Sequence, residues 1–292
     1  MDLSIIIVSY NTKEFLKGCL QSIYKTTKNI QFEIIVVDNA SADGTIVALK
    51  KLSTENFQLI ENKENLGFSK ANNLGVKKAS GRYLLFLNPD IVVHDKTLEG
   101  MVKFMDQHQD AGAATCKLIM PNGQIDDASH RGFPTPWNSF SHFSGLAKIF
   151  GKIEHFGGYN LKHLDLSQTH EVDALAGAFM LVRRKAGEES GWWDKDYFFY
   201  GEDLDFCYML KQKGWKIYYV PEFSVLHYKG VSHGLKKVSK DITTANEETK
   251  IKSQKERFRA MRLFYKKHYE QKYPWIITHL VYLGIFLKQR FS

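Results

Sequence analysis

The first half of the chain alternates short, almost wholly apolar runs with longer segments of helical spacing. "LSIIIV" (3–8), "FEIIVVD" (32–38), "FQLIE" (57–61) and "RYLLFL" (82–87) read as strands. Brief apolar runs bounded by turn residues fit strands buried on both faces. Between them, residues 12–25 place Phe15, Leu16, Cys19, Leu20 and Ile23 on one helical face. Residues 41–52 read as a helix with Ser41 and Asp43 as candidate N-caps, and 67–79 as a helix despite Gly75. Such alternation predicts an α/β fold: a mostly parallel central sheet with helices on both faces.

The second half is less regular. Residues 113–120 suggest a strand followed by a Pro-Asn-Gly turn, and 176–182 return to strand. Residues 128–170 carry Gly, His, Phe, Trp and Pro without clear period, and a connection that long is usually functional or flexible. Residues 201–215 read as a helix ending at Gly214, then "KIYYV" and "SVLHY" as two short strands. From about residue 245 a basic helix leads to Pro274, and "WIITHLVYLGIFLKQRF" closes the chain.

Composition supports a real core, with 43% hydrophobic and 25% charged residues in 292. Cys19, Cys116 and Cys207 are odd in number and far apart, forming neither a metal pattern nor a disulfide framework. A cytoplasmic setting is expected. The opening apolar run is too short, and lacks the basic flank, for a signal peptide.

Charge changes the picture. The chain is +8 overall, yet residues 1–228 hold 25 Lys+Arg against 27 Asp+Glu, and residues 229–292 hold 15 against 5. The basic excess lies in the last fifth and points to an anionic partner, membrane or nucleic acid, the plainer alternative being a solvated basic helix. No recognised nucleic-acid module accompanies it. The apolar run 275–287 is too short to span a bilayer, which takes about 20 residues. It could lie in the interface, pack on the rest of the chain or form a homodimer contact.

In open α/β sheets ligands bind beyond the carboxyl ends of the strands. Those ends carry Ser9-Tyr10-Asn11, Asp38-Asn39 and Asn88-Pro89-Asp90. The first turn lacks Gly-x-Gly-x-x-Gly and no P-loop pattern occurs, which argues against a dinucleotide-binding oxidoreductase. A nucleotide-sugar site remains, with a metal neutralising the diphosphate. Mg²⁺ needs only one or two carboxylates beside phosphate oxygens. Asp38 and Asp90 also read as simple turn residues.

Eight stretches in order carry a family resemblance: "IIIVSYN", "IIVVDNASADGT", "ENLGFSKANNLG", "YLLFLNPDI", "PNGQIDDASHRGFPTP", "DALAGAFMLVRR", "FFYGEDLDFCYMLKQKGW" and "VPEFSVLHYKGVS". Over roughly residues 3–235 the chain resembles family 2 glycosyltransferases of the GT-A fold, in the bacterial rhamnosyltransferase-like subgroup. The resemblance implies a GT-A catalytic domain at 1–240, its nucleotide-sugar half about 1–120 and its acceptor half about 121–240. Residues 241–292 form a basic helical tail. It implies a metal-dependent inverting transfer from a nucleotide-diphosphate sugar, with dTDP-L-rhamnose expected and a UDP-hexose the alternative. The acceptor would be a glycan or polyprenyl-diphosphate-linked glycan in surface polysaccharide synthesis, at the inner face of the cytoplasmic membrane. A catalytically inactive nucleotide-sugar-binding module is the rival of another class.

Residue roles follow from the matched motifs. "NPD" stands where the family has a metal-binding Asp-x-Asp, so Asn88 replaces the first carboxylate and Asp90 matches the last. His227 matches a late metal-ligand histidine, completing a Mg²⁺ or Mn²⁺ site. Ser9, Tyr10, Asp38, Asn65, Phe68, Asn72 and Asn88 would contact the nucleotide sugar. Asp203 would be the general base and Glu202 its neighbour, binding acceptor or orienting the base, with Asp205 structural. Arg131 would meet an anionic acceptor group or pair with a nearby Asp. Trp192-Trp193 stands where the family usually has Gly-Phe, and Trp193 is an acceptor candidate.

Overall fold

The computed structural model describes residues 1–52, 55–231 and 243–291. The expected boundary at residues 240 and 241, and Ser232 of the last motif, lie outside the described residues.

In chain order the first elements are β1 (Leu3–Ser9), α1 (Lys13–Thr26), β2 (Phe32–Asp38), α2 (Thr45–Leu49), β3 (Phe57–Glu61), α3 (Phe68–Val76) and β4 (Tyr83–Leu87). The expected alternation appears as such. Next come β5 (Ile91–Val93), α4 (Thr97–Gln107), β6 (Ala111–Ile119), β7 (His130–Arg131), α5 (Pro136–Ser144), α6 (Leu146–Ile149) and α7 (Glu154–Gly157). The chain continues through β8 (His170–Glu171), β9 (Ala174–Leu175), β10 (Phe179–Arg183), α8 (Arg184–Ser190), α9 (Glu202–Gln212) and β11 (Lys216–His227). It ends in α10 (Glu247–His268) and α11 (Trp275–Arg290).

The main sheet runs β3-β2-β1-β4-β10-β6-β11-β5, with β8 added beside β11. β3, β2, β1 and β4 are mutually parallel, as are β6 and β11. Antiparallel β10 lies between these two blocks. Side chains alternate across each strand. Ile5 and Ile7 therefore join Met101 and Met105 of α4 on one face. Ile6 joins Ala71 of α3 and Phe206 of α9 on the other.

Three local readings need correction. The helix expected over 41–52 forms only over Thr45–Leu49, after Gly44 in a left-handed conformation. Of its proposed caps, Ser41 donates instead to Asp38, 2.7 Å, while Asp43 accepts from Thr45 N at the start of α2, 3.1 Å, and from Lys13 N at the start of α1, 2.9 Å. "KIYYV" and "SVLHY" are one strand, β11, with its register broken between Val220 and Ser224, where Pro221 removes a ladder donor.

The two C-terminal helices pack back on α9. Tyr208 of α9 clusters with Phe264 and Tyr265 of α10 and with Tyr269 just after it. Buried Asp205 accepts from His268 Nε2 at 2.7 Å and from Lys267 Nζ at 2.9 Å. α11 lies on α10 through Tyr265 and Thr278, hydroxyls 3.1 Å apart.

Candidate active site

The rim loops are laced together. Asn11 N donates to Ser41 Oγ at 2.8 Å, and Asn11 Oδ1 accepts from Ala42 N at 2.8 Å. Asp38 is fully buried and takes both the backbone N–H and the hydroxyl of Ser41. Asn65 caps the turn at Gly67 N, 2.9 Å, and Asn72 donates back to Phe68 O, 3.0 Å. Ser9 meets the Thr12 hydroxyl at 3.2 Å, and Tyr10 is half-buried beside it. In this state the polar groups of Ser9, Asp38, Asn65 and Asn72 stabilise the loops that form the rim. Gly67 (φ +81°) is required there: an added Cβ would lie 2.4 Å from the Phe198 carbonyl oxygen.

A cleft of about 1320 Å³ opens beyond the sheet. Phe68, Asn88, Arg131, Glu202, Asp203 and His227 all line it. The left-handed Gly201 (φ +80°) turns the chain into α9, so that Glu202, Asp203 and Asp205 occupy its first turn. Carboxylates are favoured at that helix end. Asp203 Oδ1 accepts from Leu204 N at 2.8 Å, while Oδ2 pairs with a guanidinium nitrogen of Arg131. Of the two readings of Arg131, this is the pairing one. Burial opposes the Arg131 charge most strongly, but Asp203 and Tyr159 together hold the guanidinium above its usual range. Glu202 is 6% exposed, and its Oε2 has no hydrogen-bond partner. Burial first, and the Asp203 charge second, raise its carboxyl well above the ordinary range.

At the far end of β11, His227 stands between two carboxylates. Nδ1 lies 3.0 Å from Asp126 Oδ2, and Nε2 lies 3.6 Å from Asp90 Oδ1. Burial alone would depress His227; Asp90 and Asp126 overcome it and lift it to about 9. Asp126, also paired with Lys229, is held well below the usual carboxylate range despite burial. The buried Nε2 makes no hydrogen bond, since 3.6 Å is too long for one. One imidazole nitrogen beside one carboxylate, with the other ring nitrogen oriented by a second carboxylate, fits a divalent metal. Among the described residues no group of three or more His, Cys, Asp or Glu could hold a metal alone, so diphosphate and water oxygens would complete the shell. Asp90 also borders a smaller concavity of about 260 Å³ with Phe15 and Tyr228.

One candidate is corrected. Trp193 is 1% exposed and packs against Phe68, Phe86 and Phe206; a ring so enclosed cannot meet an acceptor. Asp126 and Lys229 were given no role from sequence, although both sit in quoted motifs. The signal available was a pair of adjacent carboxylates, Asp126-Asp127, and a lysine two residues past His227.

A family model described as "Glycosyl transferase family 2" matches residues 4–191. Rhamnosyltransferase WbbL of Escherichia coli (strain K12) is 30% identical over 233 residues, 77% of this chain and 82% of that protein. The N-acetylglucosaminyl-diphospho-decaprenol L-rhamnosyltransferase of Mycobacterium tuberculosis (strain ATCC 25618 / H37Rv) is 26% identical over 80% of this chain and 78% of its own. Among solved structures, S. aureus TarS 1-349 in complex with UDP-GlcNAc aligns with TM-score 0.57 and 20% identity, over 100% of this chain and 73% of that one. The mannosyltransferase PcManGT from Pyrobaculum calidifontis, in complex with GDP-Man and Mn²⁺, aligns with TM-score 0.57 and 17% identity, over 98% and 69%. At such identities the structural likeness speaks to the fold, which is GT-A.

Proposed function

The chain belongs to glycosyl transferase family 2, and on that premise we propose that it transfers L-rhamnose, with inversion, from a dTDP-linked donor to a polyprenyl-diphosphate-linked glycan. One observation carries this reading: Asp203 with Arg131, and His227 with Asp90 and Asp126, stand in or beside one cleft at the strand ends. Residues 1–240 would be the catalytic domain and 241–292 its helical tail.

Asp203 would accept the proton of the acceptor hydroxyl as that oxygen attacks the anomeric carbon, and the nucleoside diphosphate would leave from the opposite face. Arg131 holds one carboxylate oxygen and Leu204 N the other, fixing the base while lone pairs remain for the substrate proton. Neutral Glu202 would donate a hydrogen bond to the acceptor. Asp90 and His227 would hold Mg²⁺ or Mn²⁺, whose charge would neutralise the departing diphosphate. Ser9, Tyr10, Asp38, Asn65, Phe68, Asn72 and Asn88 would form the nucleotide-sugar rim.

Attachment to the inner face of the cytoplasmic membrane is supported by α11. Trp275 (71% exposed), Ile276, Leu283 and Phe286 are exposed and do not line the cleft. No described helix is long and apolar enough to cross a membrane, but an exposed apolar face beside cations suits the interface.

The test is a panel of nucleotide sugars with the purified full chain, Mg²⁺ and a prenyl-diphosphate GlcNAc acceptor. dTDP-L-rhamnose should give product of opposite anomeric configuration. Transfer from UDP-hexoses alone would replace the donor. Binding without turnover of any donor would make the chain a sugar-nucleotide-binding module.

A further inference from the structure

The cleft that holds Asp203 continues past the catalytic groups, and its outer wall is built by the tail. Ile277, Leu280, Val281, Gly284, Ile285 and Lys288 of α11 line it. Separations of three, four, seven, eight and eleven residues place them on one helix face. α10 adds Arg257, Met261 and Phe264 at the same kind of spacing, and α5 adds Trp137, Phe140 and Phe143. Lys288 Nζ lies 4.0 Å from the Phe143 ring centroid, which joins α11 to α5 across the trough. At 1.5 Å per residue, the lining stretch of α11 runs about 16 Å.

The trough is apolar along its walls and cationic at one end. Arg257, Lys288 and His142 all line it, and burial first, then neighbouring like charges, holds Lys288 and His142 below their ordinary values. Tyr200, the residue immediately before Gly201, Glu202 and Asp203, lines the same cleft. Cations in a part-enclosed, apolar-walled cleft attract an anion, and the Arg fork matches a phosphate bidentately. Gly284 leaves the wall open: a Cβ there would meet no heavy atom within 4 Å.

We propose that this trough binds an isoprenoid diphosphate, with the diphosphate on Arg257, Lys288 and His142 and the hydrocarbon along the apolar faces of α11 and α5. The proposal rests on the glycosyltransferase reading and locates the acceptor's lipid half, so that a sugar on the diphosphate lies toward Asp203. It makes the tail part of the substrate site.

The experiment is calorimetric binding of geranylgeranyl diphosphate to the full chain in EDTA, beside inorganic pyrophosphate and geranylgeraniol. The wild-type chain should bind geranylgeranyl diphosphate at least about tenfold tighter than either fragment, since both halves of the trough contribute. Gly284→Leu, which improves helix propensity while filling the trough, should weaken it by about tenfold or more. Arg257→Gln should weaken the diphosphate by a similar factor and leave geranylgeraniol unchanged. Equal binding of the three probes by wild type, or wild-type affinity in both variants, would overturn the proposal. So would a Gly284→Leu effect confined to self-association, which would make this face a contact between two copies. Failure of the functional reading looks different: no nucleotide sugar would protect the wild-type chain against thermal unfolding with Mg²⁺, whatever the lipid result.

Discussion

Arg131 and Asp203 form an ion pair between β7 and the first turn of α9, each side chain about 15% exposed. The irregular connection after β6 and the helix carrying the proposed base are thereby tied at one point. Asp203→Asn should keep nucleotide-sugar binding and lower transfer by about 10²–10⁴-fold, because an amide cannot take the proton. Arg131→Ala should also lower transfer and reduce stability by about 1–3 kcal/mol, since it leaves a part-buried carboxylate without its partner. Kinetics and urea unfolding of the two single variants and the double variant check this. Near-wild-type turnover in Asp203→Asn would move the base to Glu202.

Glu202 makes stability depend on pH. Its folded carboxyl is raised by burial and by Asp203, so the folded state keeps a proton that the unfolded chain releases near pH 4.5. Stability should therefore fall as pH rises from about 4.5 through the raised folded value. Glu202→Gln carries no proton to lose and should flatten that part of the profile. Urea unfolding from pH 5 to 8 reads the effect, and parallel profiles for the two proteins would refute it.

Asp126 positions His227 by holding Nδ1. A metal at Nε2 must displace a proton from a ring lifted to about 9, so Mn²⁺ affinity should weaken as pH falls below about 9. Calorimetry in buffers of different ionisation enthalpy should report proton release at pH 7. Asp126→Asn should reduce that release and weaken binding by roughly 10–100-fold. Binding with no proton uptake by buffer would exclude His227 as a ligand.

What could be read from the sequence followed its regularity. β1, β2 and β4 are apolar runs ending in polar residues, so the rim carrying Ser9, Asp38 and Asp90 was legible from pattern and turn chemistry. Residues 128–170 have no period, and α5, which faces α11 across the trough, was not foreseen. Asp43 does meet the first N–H of α2, but its contact with Lys13 and the turn of Ser41 toward Asp38 were set by loops brought together only in the fold. Trp193 was an acceptor candidate because Trp192-Trp193 departs from the family's Gly-Phe, and only packing against Phe86 and Phe206 reveals a core residue. The tail's composition suggested a partner outside the protein, whereas Lys267 and His268 serve Asp205 within it.

That last contact changes how membrane attachment must be tested. Removing residues after about 245 would strip Lys267, His268 and the aromatic cluster from α9, disturbing the helix that bears Asp203. Substitution on the outer face of α11 avoids this. Trp275, Leu283 and Phe286 are 71%, 51% and 54% exposed and lie outside the cleft lining. Replacing all three with Ser should leave the unfolding midpoint nearly unchanged. It should release the chain from anionic liposomes in a flotation assay, because each buried apolar side chain contributes about 1.5–3 kcal/mol. Salt should weaken wild-type binding as well, since cations near an anionic surface contribute about 1 kcal/mol each and are screened. If the intact chain stays off anionic liposomes even at low salt, α11 is a wall of the cleft alone and the acceptor must reach Asp203 without membrane attachment through this helix.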